Sequence, residues 1–178
     1  MTIQTPAFQL KIADALVDEV AENTDAVLQA ARKLQAREGF MDGLRGAMAA
    51  GALLGSLKNN LVLGMRLADA SAKSNPSIKL DDGTTPATVK ARALFQEGLI
   101  AMGQKNMKDA VKRFEESVQY VADQSTYFNI ALCFLEMKGL FTDKTKDAVT
   151  ALEKCIDLVP DSELAIAAGK ELARLGRL

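Results

Sequence analysis

Two consecutive stretches of this chain place the same kinds of side chain in the same order. "ALFQEGLIAMGQKNMKDAVKRFEESVQYVADQ" sets a small residue, Gly98, inside one helical pattern, then a polar turn, then Ala110, Phe114 and Ser117 in a second pattern. "TYFNIALCFLEMKGLFTDKTKDAVTALEKCIDLVPDS" follows with Tyr127, Ile130, Ala131 and Phe134, a turn, and then Ala148, Leu152, Cys155 and Pro160. A repeat on this scale constrains the fold more than any single motif. One helix pair cannot bury its apolar face alone, so successive pairs must stack into a shared core.

The surrounding residues agree with a helical reading throughout. Ala, Leu, Lys, Glu, Gln and Met dominate, and the chain has four prolines and no Trp. Thr85-Pro86 starts a helix, with Thr as N-cap and Pro at the first helical position. Helices are predicted over 86–103, 107–121, 124–138, 144–158 and 162–175. Asn106, Asp123 or Ser125, Asp143 and Ser162 are the expected caps, and Gly139 a C-terminal stop. No stretch reads as a strand, so the expected fold class is all-α.

Upstream, Thr5-Pro6 repeats the start signal. Phe8, Ile12, Leu16 and Val20 recur every four residues, and Ala13 and Val17 widen the stripe. Either one helix runs from Pro6 to Arg37 with a weak point near Asn23, or Asn23-Thr24-Asp25 divides it in two. The single helix is preferred. Residues 39–74 are apolar with glycines at 43, 46, 51, 55 and 64, and Asn59-Asn60 reads as a turn between two helices. The segment "SNPSIKLDDGTTPATV" has the composition of a linker.

The paired stretches resemble the tetratricopeptide repeat, whose small residues sit where two helices cross, and the resemblance covers about residues 88–178. Gly98 takes the first small place, Ala110 and Ala148 the second, and Phe114 and Leu152 fill the gap between repeats. Departures are visible: Leu94 and Tyr127 stand in the Trp place, Glu97 where Leu is usual, Ala101 for an aromatic, and Ala122 for the first repeat's Pro. A candidate degenerate copy lies over 44–77, where "GALLGSLKNNLVLGMRLADAS" aligns beneath "GLIAMGQKNMKDAVKRFEESV". Leu63 misses the small place there, with Gly64 beside it, and chance similarity between Leu/Ala/Gly-rich helices explains the match equally. The expected organisation is therefore an N-terminal amphipathic helix (1–38), a Gly-rich helical hairpin (39–76) and a linker (77–86). Two repeats with a C-terminal capping helix (87–178) follow, the hairpins stacking as a short solenoid.

Chemistry is mostly excluded by residue type. The chain has no His, which removes the commonest acid/base group and metal ligand. Cys133 and Cys155 have no His partner and form no metal motif, so they read as core residues in a reducing, cytoplasmic setting. Gly98 to Lys105 looks like a phosphate-binding loop, but a helix pattern precedes it and no Ser or Thr follows the Lys. Asp81-Asp82 is turn chemistry, and Glu115-Glu116 point in different directions on a helix. With 22 basic and 23 acidic residues there is no basic field for nucleic acid. No stretch is apolar enough to span a bilayer, and residues 6–37 mix acids with bases, against a membrane surface role. No catalytic residue, cofactor or metal is expected.

What remains is surface recognition by a non-enzymatic scaffold or adaptor. The resemblance implies that the first helices of successive repeats line a concave groove. Arg92, Phe95, Leu99 and Met102 would face it from one repeat, and Ser125, Phe128, Asn129, Leu132, Leu135 and Glu136 from the next. The family's carboxylate-clamping Lys/Asn set is missing, since Leu99 replaces an Asn and only Asn129 partly fits. An apolar groove is either core, or covered by residues 6–37 of this or a second copy, or occupied by a partner's helix or peptide. The alternative function is a self-assembling structural subunit with homotypic contacts through its N-terminal helices.

Overall fold

The computed structural model describes residues 5–35, 40–137 and 144–176. Among these, seven α-helices and no strand are found: α1 (Pro6–Gln35), α2 (Phe40–Ser74), α3 (Pro86–Gly103), α4 (Met107–Tyr120), α5 (Gln124–Glu136), α6 (Thr145–Leu158) and α7 (Glu163–Arg174). Each helix packs first on its chain neighbour, and α1 also lies along α3. The result is a run of antiparallel helix pairs, α1/α2, α3/α4 and α5/α6, closed by α7.

Side-chain caps set most of the starts. Thr85 accepts from the Thr88 amide while the Thr88 hydroxyl accepts from the Thr85 amide, a capping box ahead of Pro86. Asn106, Asp123 and Ser162 accept from the amides of Asp109, Thr126 and Ala165. Asp143 and Gly139 lie outside the described residues, and Lys144 precedes α6 without a side-chain cap.

The N-terminal helix is one element. Asn23 and Thr24 do not break it, because their side chains bond back to the carbonyls of Glu19 and Val20, each at 2.7 Å. That local bond lets Thr24 sit buried in an otherwise apolar face. The buried line runs through Leu10, Ala13, Val17 and Val20, whereas Phe8, expected on it, is 49% exposed. The face turned because α1 packs against both α2 and α3 rather than against one neighbour.

Residues 40–74 correct the expected hairpin over 39–76. They form the single helix α2, and Asn59-Asn60 lies inside it. The degenerate copy over 44–77 is likewise not a helix–turn–helix. The upstream pair is α1 with the second half of α2, in a register one residue later. Ser71 donates to the Pro6 carbonyl at 2.8 Å, as Ser117 donates to the Ala91 carbonyl at 2.8 Å. Counting back seven from each serine gives Gly64 and Ala110, the small residues of the two helices. A Cβ on Gly64 would stand 3.2 Å from the Ala13 carbonyl oxygen, so the two helices approach closely there.

The segment expected as a linker is folded. Ile78 is buried, Leu80 packs on the same cluster, and the Gly83 amide donates to the Leu80 carbonyl across a turn in which Gly83 has φ +95°. One apolar cluster joins α1, α2, this connection and α3 through Leu10, Val17, Leu61, Ile78, Val89 and Ile100. A second joins α3 to α7 through Phe114, Ile130, Leu152 and Leu172. Helix α3 contributes to both, Ile100 to the first and Ala101 to the second.

Candidate interaction groove

Helix α1 lies along α3, α3 pairs with α4, and α5 packs on α4 and α6. Within the α3/α4 pair, Gly98 of α3 meets Phe114 of α4 at close quarters. A Cβ there would fall 2.8 Å from Phe114 Cζ, well inside contact distance. Phe114 is fully buried and meets the half-buried Phe95 ring in a tilted arrangement, centroids 5.6 Å apart.

The ten residues proposed for the groove fall on α3 and α5, and most are half-buried. Arg92, Phe95 and Ser125 line a mostly apolar cavity of about 310 Å³ where the first half of α3, the end of α4 and the start of α5 meet. Met102, Leu132, Leu135 and Glu136 line a more polar cavity of about 360 Å³ at the other end, which Glu171 and Arg174 of α7 close. Leu99, Phe128 and Asn129 line neither. Phe95, Leu99, Met102 and Phe128 rest on the core below, while Leu132 and Leu135 are not part of it.

The polar members are engaged within the chain. Arg92 Nη1 donates to Asp14 at 2.6 Å, and its other terminal nitrogen pairs with Asp18, both on α1. Lys105, held at φ 62°, bonds Glu136 at 3.3 Å across the far mouth. The Asn129 amide donates to the Ser125 carbonyl at 2.9 Å. Asp14 and Asp18 were not singled out from sequence. Their spacing of four marks one face of α1, but the cation they meet lies 78 residues beyond Asp14.

Other charged groups serve the frame. Glu97, the departure from an apolar repeat position, is 7% exposed and pairs with Arg113 Nε at 3.0 Å. Burial pushes its carboxyl above the usual range, against the pull of Arg113 and Lys58. Burial also holds the Cys133 thiol at about 12 and raises that of Cys155. Both thiols are free and buried. The glycine-lysine stretch 98–105 is the end of α3 and its turn into α4, with a helix in front of it. On the other side of α5, a cavity of about 480 Å³ lies between α4 and α6, where Lys154 stacks on Tyr127 and Lys144 on Phe134. No cluster of metal-ligating residues occurs among the described residues. None of the described helices is long and apolar enough to cross a membrane.

Stacked antiparallel helix pairs define a helical repeat array, a class that presents an extended surface. Residues 125–162, which span α5, α6 and Pro160, match the family model of the tetratricopeptide repeat. The match marks α5 and α6 as a tetratricopeptide-like pair within an all-α array of helix pairs. Comparison with curated proteins and with solved structures gives no match.

Proposed function

We propose that the chain is a non-enzymatic scaffold or adaptor that docks an apolar helix or peptide in the groove between α3 and α5. Phe95, Leu99, Phe128 and Leu132 are its anchors. The observation that supports this reading is the set of large apolar side chains left half-buried on α3 and α5. Helix α1 packs along α3 as the groove's flank. Burying such side chains against a partner contributes about 1.5–3 kcal/mol each before ordering costs. Two free buried thiols accord with a reducing, cytoplasmic setting.

The test uses Leu132→Glu with Leu135→Glu, because these two sit outside the buried cluster and their replacement spares the fold. Partners captured by the native chain and lost by this variant, with helicity unchanged, support the groove. An identical partner set removes it.

Self-assembly through α2 is the second reading, and one observation favours it. Met48, Leu53, Val62 and Leu63 are all exposed on α2, at 69, 54, 37 and 48%. Gly51 and Gly55 have open space where a Cβ would stand, so packing within the chain does not explain them. Light scattering on the full chain and on Leu53→Lys/Leu63→Lys separates the readings. A monomer in both cases removes assembly.

A further inference from the structure

The cavities at the two ends of the groove are chemically unlike. The one at the end of α5 is ringed by four charged side chains, Lys105, Glu136, Glu171 and Arg174. The one at the start of α5, of about 310 Å³, is mostly apolar, with Phe95 and Val121 in its wall. Ala91, Ser117 and Thr126 lie buried beneath it, and Asp123 is exposed at its edge.

The polar side chains around this apolar cavity are engaged within the chain. Ser117 Oγ donates to the Ala91 carbonyl at 2.8 Å. Thr88 Oγ1 donates to the Thr85 carbonyl and accepts from the Thr85 amide, both at 2.8 Å. Asp123 Oδ2 accepts from the Thr126 amide at 2.8 Å and from the Thr126 hydroxyl at 2.9 Å. Arg92 turns its two terminal nitrogens to Asp14 and Asp18 on α1. A polar group entering here would shed its water and find these donors and acceptors already used, at a cost in free energy. An apolar group meets no such cost.

We propose, on the groove reading above, that this cavity is the groove's specificity pocket and takes one large apolar side chain, aromatic by preference, from a bound peptide. Its size suits that occupant. A dry apolar cavity of about 150 Å³ admits benzene, so one of about 310 Å³ admits a Phe or Trp side chain. Phe95 supplies a ring for the incoming ring to meet. The contrast between the two ends also sets the peptide's direction. Its anchor lies at the start of α5, and its polar residues reach the charged cavity about 15 Å away along α3, from Arg92 to Met102.

The test is selection of random displayed peptides of about 16 residues, about 24 Å as a helix, on the full chain. Peptides that still bind the Leu132→Glu/Leu135→Glu variant are discarded. The survivors are then measured on Ser125→Phe, which fills the cavity from the first turn of α5. The Ser125 hydroxyl makes no hydrogen bond among the described residues, so its replacement breaks none. Ser125→Leu repeats the measurement with a smaller filler, and thermal melts check both folds. The survivors are expected to share one Phe, Trp, Leu or Met position and to bind Ser125→Phe about ten- to a hundredfold more weakly. Replacing that shared residue by Ala in a synthesised peptide should cost as much on the native chain and little more on Ser125→Phe, because both changes remove one contact. Survivors with no shared apolar position, equal binding to both filled variants, or losses that simply add overturn the inference while leaving the groove standing. Should no peptide depend on Leu132 and Leu135, the groove itself is removed and the inference with it.

Discussion

Gly98 shows how much can rest on a missing methyl group. Its neighbour Phe114 is enclosed and has no free space to retreat into. Gly98→Ala gains about 1 kcal/mol of helix propensity but overpacks the crossing, which costs about 1–3 kcal/mol. A net loss of up to about 2 kcal/mol is expected from urea denaturation. Glu97 sits one residue before it and carries a pH signature. Its folded-state carboxyl holds the proton more tightly than the unfolded one, with burial as the main cause. Between the usual carboxylate range and the raised folded value, the folded state therefore binds more protons, and stability falls as pH rises. Stability of the native chain should accordingly fall relative to Glu97→Gln as pH rises through that window, measured by denaturation at several pH values. The two thiols offer a further check. With Cys133 at about 12 and both side chains buried, a thiol reagent at neutral pH should react only as fast as the protein opens.

At the scale of elements, α2 departs most from what its residues suggested. Asn59-Asn60 has turn composition, yet the helix continues because Leu54, Leu61 and Ala68 on either side are buried along one line against α1 and α3. Lys58 reaches Gln104 just beyond the end of α3, so the preceding turns of α2 extend past the α3/α4 pair. The glycines divide by neighbourhood. Gly51→Ala and Gly55→Ala should each stabilise the monomer by up to about 1 kcal/mol, since nothing stands near either position. Gly64→Ala should bring no such gain, because its Cβ would press on the Ala13 carbonyl. Thermal melts of the three single variants measure the contrast.

Across the whole molecule, stability runs along the stack. Helix α3 belongs to both apolar clusters, whereas α7 packs on α6 and only the edge of α5. In a one-dimensional array the shared central element opens last. Native-state hydrogen exchange should therefore be slowest in α3 and fastest in α7 and the first half of α2. Uniform protection along the chain would contradict this.

The sequence by itself determined the helices of the repeat region and their caps, because a cap, a glycine crossing and a turn act over three to seven residues. Thr85, Asn106, Asp123 and Ser162 announce their helices locally, and Gly98 with Phe114 announces the crossing. Only the tertiary structure decided that α2 is continuous, that the 77–86 segment is part of the core, and that α1 brings Asp14 and Asp18 to Arg92. Those outcomes depend on which faces meet across many residues. A polar pair such as Asn59-Asn60 is a turn or a helix surface according to what lies on its other side.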